Sequence, residues 1–151
     1  MSTLPFRYRL RVRYSECDAQ RVVFNARYGE YVDVAIGEFL RALGYVEGSS
    51  TPQPEFQLVK QTTEWFVPSR YDEVLELRVA ALQLGTTSFT LRCEFFGTDA
   101  DMPRARTDTV YVHVDPLHFR KAPLTDDLRA RLARGAPGAL VDHAGSLGHT
   151  P

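Results

Sequence analysis

Near its start the chain alternates strictly. Phe6, Tyr8, Leu10, Val12 and Tyr14 are apolar, and Arg7, Arg9, Arg11 and Arg13 stand between them. A period of two predicts a strand with its apolar set on one face and its arginines on the other. Further on the period changes. Tyr28, Tyr31, Val32, Ala35, Ile36, Phe39, Leu40 and Leu43 recur at spacings of three and four, while Glu30, Asp33, Glu38 and Arg41 fall away from them. This predicts one long amphipathic helix from about Ala26 to Leu43. Asn25 stands where an N-cap is expected and Gly44 at C′. Gly29 and Gly37 lower local helix propensity and suggest close approach of another backbone.

After a Gly/Ser/Thr/Pro loop, Glu47 to Pro54, four extended segments follow: Phe56 to Val67, Val74 to Leu84, Thr86 to Phe96 and Arg104 to Val114. The last three alternate clearly, as in Leu75, Leu77 and Val79 against Glu76 and Arg78. Short breaks at Pro68, at Gly85 and from Gly97 to Pro103 suit antiparallel neighbours. Thr125 can cap a short helix from Asp126 to Arg134, with acidic residues in its first turn. From Gly135 to Pro151 large apolar residues become scarce, which predicts a mobile tail in which His143 and His149 are solvated. The domain is therefore expected to span 1–134.

The order is strand, long helix, four strands, short helix. The layer solution that buries the helix stripe is an α+β arrangement: a curved antiparallel sheet wrapped around one central helix. Such a sheet leaves apolar surface to be hidden elsewhere, which predicts a homodimer or homotetramer, with dimer sheets pairing edge to edge.

Composition narrows the function. The chain has 151 residues, a net charge of −1 and two cysteines, Cys17 and Cys93, in unrelated segments. A length of this order fits one compact domain. A balanced charge gives no global field toward nucleic acid or an anionic membrane, so the arginine row reads as a solvated face or subunit contact. The cysteines make neither a disulfide framework nor a zinc spacing, and no cofactor or metal is expected. No stretch reaches the roughly 18 apolar residues of a membrane span, so a cytoplasmic protein is expected.

The chemistry concentrates in Cys17-Asp18-Ala19-Gln20-Arg21-Val22-Val23-Phe24-Asn25-Ala26-Arg27-Tyr28. Here a lone carboxylate, Asp18, sits in the loop that enters the long helix. Asp is common in turns, but a carboxylate just before a helix N-terminus can meet a ligand that the helix amides also bind. Asn25 reads equally as an N-cap or as a group that orients water or a carbonyl. Glu64 is a second possible carboxylate. His113 reads as a strand histidine, and His118 as a loop residue without a visible partner.

The block Arg13-Tyr14-Ser15-Glu16-Cys17-Asp18 followed by Val22-Val23-Phe24-Asn25-Ala26-Arg27-Tyr28 resembles the hotdog-fold acyl-CoA thioesterases of the 4-hydroxybenzoyl-CoA thioesterase-like superfamily. Ser69 to Leu77, and Val112 to Asp115 with Arg120 to Leu124, are similar to later segments of that family. The resemblance implies hydrolysis of an acyl-CoA to a carboxylic acid and CoA. Asp18 would act as nucleophile or general base, Asn25 would be a second catalytic candidate, and helix amides near Asn25, Ala26 and Arg27 would polarise the carbonyl. The substrate pocket would draw on Arg21, Phe24, Ala26, Arg27, Tyr28 and Trp65. Thr87 and Ser88 would reach a catalytic water from a partner subunit. Lys60, Arg70, Arg120 and Lys121 are candidates for the CoA phosphates. The chain departs from the family in carrying Gln20-Arg21 where many relatives have Gly, and Asn25 where some have His or Tyr. It also lacks a basic cluster at Gln83 to Thr87. An acyl-carrier-protein thioesterase and a non-catalytic acyl-CoA-binding protein are the alternatives.

Overall fold

The computed structural model describes residues 4–98 and 101–145; His149 lies outside them. The strands are β1 (Phe6–Arg11), β2 (Phe56–Trp65), β3 (Val74–Leu84), β4 (Ser88–Gly97), β5 (Ala105–His113) and β6 (Leu140–Asp142). The helices are α1 (Tyr28–Ala42) and α2 (Asp126–Arg134). All six strands form one sheet in the order β2-β5-β4-β3-β1-β6. The hairpins β3-β4 and β4-β5 follow the expected antiparallel pairing. The Pro68 break does not join neighbours. β2 instead pairs with β5, at the far edge.

The helix stripe is buried nearly as its spacing dictates. Tyr28, Tyr31, Val32, Ala35, Ile36, Phe39 and Leu43 are in the core, and Leu40 is partly buried against it. They face Phe6, Tyr8 and Leu10 of β1, Leu75, Leu77 and Val79 of β3, and Phe89, Leu91, Cys93 and Phe95 of β4 in a single cluster. Phe39 meets Phe6 with ring centroids 5.6 Å apart.

The two ends of α1 differ from one another. At its C-terminus Gly44 adopts φ +103°, Gly44 N–H donates to the Arg41 carbonyl, and Tyr45 N–H reaches back to Leu40. That is the Schellman closure that Gly at C′ allows. At the N-terminus Asn25 is not a cap. The chain first makes a 3-10 turn, Asn25–Arg27, and no side chain caps either this turn or α1. The glycines do not serve backbone approach. A Cβ on Gly37 would meet open space, and one on Gly29 would touch only the side chain of Gln61.

Strand β1 ends at Arg11, before the alternation does. Val12 is still buried, but Tyr14 has left the sheet for a 3-10 turn, Tyr14–Glu16, and is 80% exposed. On the outer face the arginines are matched by carboxylates. Glu76 takes Arg9 at 3.1 Å and Arg78 at 2.8 Å, Arg92 pairs with Asp108, and Arg106 pairs with Glu94. Arg11 lies against Asp72 on the same strand boundary.

The C-terminal segment extends the domain past Arg134. Ala136 and Ala139 pack on the core, and β6 adds a parallel strand beside β1, with Arg7 N–H bonded to the Ala139 carbonyl and His143 N–H to that of Arg9. His143 is only half exposed, and the Tyr8 hydroxyl meets its Nδ1 at 3.1 Å. The pairing partners are some 130 residues apart and the strand is short, so local composition conceals it. Helix α2 begins as expected, with the Thr125 hydroxyl accepting the Leu128 N–H at 3.0 Å.

Phe39→Ala should lower the unfolding free energy by about 3–5 kcal/mol, since a fully buried aromatic is lost and a cavity is left. Thr125→Ala should cost about 1 kcal/mol through the lost cap. Denaturant titration of the two variants measures both, and similar losses from each would contradict the packing described.

Candidate active site

Between β1 and α1 the chain folds into a small hairpin. Asp18 N–H donates to the Val22 carbonyl (2.9 Å), Cys17 bridges Val23, and Phe24 N–H donates to the Glu16 carbonyl (2.9 Å). At its tip Gln20 N–H bonds the Asp18 carboxylate (2.8 Å) and Arg21 N–H bonds the Asp18 carbonyl (2.9 Å). Asp18 thus forms an Asx turn on its own loop, the role that Asp commonly takes in turns. One carboxylate oxygen is held and the group remains partly exposed.

Arg21 closes the tip with φ +65°, a left-handed conformation that glycine adopts freely and a branched side chain resists. This is the physical content of the Gln20-Arg21 departure: an arginine occupies backbone suited to glycine. Arg21 is exposed, and with Asp18 it lines a cavity of about 520 Å³ together with Tyr14, Cys17, Ala19 and Tyr71. Tyr14 and Tyr71 meet edge to face, with centroids 5.9 Å apart. Neither tyrosine is singled out by the sequence, because Tyr14 continues the β1 alternation and reads as core. Burial, helped by the charges of Asp18 and Glu16, pushes the Cys17 thiol up, so its thiolate is disfavoured beside the carboxylate.

A second strip of chain flanks the hairpin. Val23 N–H donates to the Ser69 carbonyl (2.8 Å), and Val22 bridges Arg70. Arg70 is thereby placed next to the loop. Tyr28, first residue of α1, is buried with its hydroxyl beside Ser69, and burial pushes that hydroxyl up. Its ring meets Phe95 at 5.2 Å and Trp65 at 6.1 Å. Trp65 is 51% exposed at the end of β2.

The remaining expected residues divide. Phe24, Asn25 and Ala26 are exposed at the entry to α1, whereas the Arg27 guanidinium is engaged by Glu30 at 3.1 Å. The amide of Arg27 is also taken, by the Phe24 carbonyl (2.9 Å), and that of Tyr28 by Asn25. Among the described residues no backbone carbonyl accepts from the amides of Asn25 and Ala26, as expected at the start of a helical turn. Thr87 and Ser88 lie at the opposite end of the sheet: Ser88 pairs with Val112, while Phe95, beside Tyr28, pairs with Ala105. Seven strand residues separate the two ends, about 23 Å. Lys121 bridges Val114 at that far end, with Arg120 beside it, and Lys60 is exposed in mid-β2. Within one chain Thr87, Ser88, Lys60, Arg120 and Lys121 are not brought to Asp18.

Glu64 is exposed on β2, opposite Arg106. His113 Nδ1 lies 3.0 Å from the Pro123 carbonyl, and His118 does have a partner, Asp115, at 2.6 Å. Among the described residues no three His, Cys, Asp or Glu side chains converge to hold a metal ion, and no helix is long and apolar enough to cross a membrane.

The strain at Arg21 is measurable. Arg21→Gly should leave the protein about 0–1 kcal/mol more stable, the relief of about 1–2 kcal/mol being partly offset by chain entropy. Arg21→Val should lose about 1 kcal/mol or more. Equal midpoints in denaturant for the two variants would show that the tip is not constrained.

The comparisons agree with this geometry. Residues 12–132 match the Thioesterase-like superfamily. A relative from Aquifex aeolicus (strain VF5) is 33% identical over 105 residues, 69% of this chain and 82% of that protein. The acyl-CoA thioester hydrolase YbgC of Escherichia coli O157:H7 is 27% identical over 131 residues, 86% of this chain and 97% of its own. The crystal structure of a 1,4-dihydroxy-2-naphthoyl-CoA thioesterase from Synechocystis superposes with a TM-score of 0.73 at 19% identity, covering 84% of this chain and 94% of that one, a likeness of fold. A chain matched over most of its length in this way, with one long helix laid on a single antiparallel-dominated sheet, belongs to the thioesterase-like superfamily and is a hotdog-fold thioesterase.

Proposed function

We propose that this thioesterase hydrolyses an acyl-CoA to a carboxylic acid and CoA, with Asp18 supplying the reacting carboxylate. The observation that carries the reading is the hairpin. It presents Asp18 to an open cavity and leads within a few residues to the unused amides of Asn25 and Ala26. The name of the Escherichia coli relative, an acyl-CoA thioester hydrolase similar over nearly its whole length, supports the substrate class.

Two routes use these parts. In one, an Asp18 oxygen attacks the thioester carbon, the C–S bond breaks, CoA leaves as thiolate and takes up a proton, and water then hydrolyses the acyl-aspartyl anhydride. In the other, Asp18 takes a proton from water as that water attacks, and the proton passes to the departing sulfur. In both, negative charge grows on the carbonyl oxygen. The two amides stabilise it there, where losing one such donor costs about 3–4 kcal/mol. The Asn25 side chain, freed from capping, is available to orient the water or the carbonyl. Arg21 and Tyr71 line the cavity, Phe24 is exposed at the entry to α1 as part of the acyl pocket, and Arg70, bridged to Val22, stands beside the loop for the CoA phosphates.

The site is completed by a second copy. β2 is an edge strand that exposes Leu58, Val59 and Trp65, and Phe66 and Val67 just after it are exposed as well. Such an edge invites pairing with another strand. Antiparallel pairing of two β2 strands sets the Phe56 end of one copy beside the Trp65 end of the other. That brings the second copy's Thr87, Ser88, Arg120 and Lys121 toward Asp18, and places Lys60 in the interface.

Purified protein should turn over members of an acyl-CoA panel, and Asp18→Asn should lower kcat by about 10²–10⁴-fold. No turnover on any thioester, or full activity in the variant, would sink the reading. A single turnover in ¹⁸O-water tests the routes: with Asp18 as base the label is found only in the product acid, whereas label in the Asp18 carboxylate after one turnover shows an anhydride opened by water at the aspartyl carbon. Sedimentation should show a dimer or tetramer; a monomer at working concentration would remove the second copy from the site.

A further inference from the structure

The hairpin that carries Asp18 is fastened on both sides. Ser69 and Arg70 hold one side. Glu16 holds the other, two residues before Asp18, and its carboxylate is the unexpected feature. It lies in an otherwise exposed turn, yet Glu16 is only 4% exposed. Oε1 accepts the Arg13 backbone N–H at 2.7 Å and the Tyr31 hydroxyl at 2.9 Å. Oε2 accepts the Arg13 guanidinium at 3.1 and 3.2 Å. Burial pushes this carboxyl up, but the hydrogen bonds from the Arg13 amide, the Tyr31 hydroxyl and the Arg13 guanidinium together bring it below the usual carboxylate range. It is therefore an ionised, buried group with both oxygens occupied, the condition under which such burial is tolerated.

The geometry links the two halves of the reaction site. Tyr31 belongs to the first turn of α1, and its ring packs against Tyr28 at 6.1 Å. Glu16 begins the hairpin, and its carbonyl binds the Phe24 amide immediately before Asn25. The Arg13 side chain is 77% exposed, so water and salt weaken its share of the contact. The Tyr31 hydroxyl is buried and is the link that fixes the hairpin relative to the helix.

We propose that Glu16, held by Tyr31, is a positioning residue that sets the Asp18 carboxylate against the free amides at the entry to α1. The proposal rests on the assignment of Asp18 made above. It gives a reason for a buried carboxylate in the turn that opens this loop, two residues before Asp18. Glu16 and Tyr31 line a cavity of about 310 Å³, and Asp18 lines the one of about 520 Å³ described above.

Tyr31→Phe deletes only the hydroxyl. A displacement near 1 Å can cost about 10²-fold in rate, so Tyr31→Phe and Glu16→Ala should lower kcat by about 10-fold or more, with KM held within about twofold. Glu16→Gln still offers an oxygen to Tyr31 and to the Arg13 amide, and should stay within about threefold of wild type. In an Asp18→Asn background Tyr31→Phe should add no further loss, because the two act as one unit. Without any substrate, amide exchange at Asp18 and Phe24 should quicken in Tyr31→Phe while the middle of α1 is unchanged. Wild-type kcat in Tyr31→Phe, an equal loss in the Asp18→Asn background, or unchanged exchange would each overturn the proposal. Full activity in Asp18→Asn alone would instead fault the Asp18 assignment, and the exchange measurement would still decide whether Glu16 and Tyr31 hold the hairpin.

Discussion

Burial of the α1 stripe against one face of the sheet is the constraint on which the other features rest. Val32, Ile36, Phe39 and Leu43 are each almost inaccessible, and a side chain of this kind contributes about 1.5–3 kcal/mol when fully buried. An exposed ion pair such as Arg27 with Glu30 contributes about 0–1 kcal/mol. The apolar contacts therefore decide where the helix lies. Once it is laid down, its first turn has one position over the sheet, with Tyr28 against Phe95 and Trp65. The entry to α1, with the Asn25 and Ala26 amides of the proposal, is then part of the scaffold and not of a long loop.

The hairpin before α1 converts that fixed end into a place where a carboxylate can work. Its backbone ladder from Glu16 to Phe24 is short, and it would be marginal in isolation. Ser69, Arg70 and Tyr31 brace it from neighbouring elements. Strain is confined to the tip, where Arg21 takes left-handed backbone. A braced base with a strained, exposed, cationic tip is what the proposed role of this loop asks for, a carboxylate held still beside an anionic substrate.

The outer face and the edge strand have a different character. Glu76 is shared by Arg9 and Arg78, Asp108 pairs with Arg92 and Glu94 pairs with Arg106, so much of the positive charge on that face is offset by carboxylates. β2 is apolar in scattered places, is interrupted by a register shift between Leu58 and Lys60, and exposes most of its length. Its weak alternation follows from this. An edge strand with a bulge and no buried side of its own leaves no clean period to read.

The chain's local patterns determined the strand periods of β1, β3 and β4, the helix stripe, the Gly44 closure and the Thr125 cap, because each depends on residues a few positions apart. The place of Asp18 in the loop before the helix is likewise a local arrangement, and its role is the one proposed above. Only the tertiary structure decided the rest. β6 pairs with a strand some 130 residues away, and no local period announces it. Tyr14 keeps the β1 alternation but leaves the sheet where the Glu16 carboxylate captures the Arg13 amide. Asn25 has the right chemistry for a cap, but the chain enters a 3-10 turn there instead. Tyr31 reads as one more core residue of the stripe until the fold brings its hydroxyl to Glu16, because a hydrogen bond between separate elements depends on how they pack and not on the spacing within either.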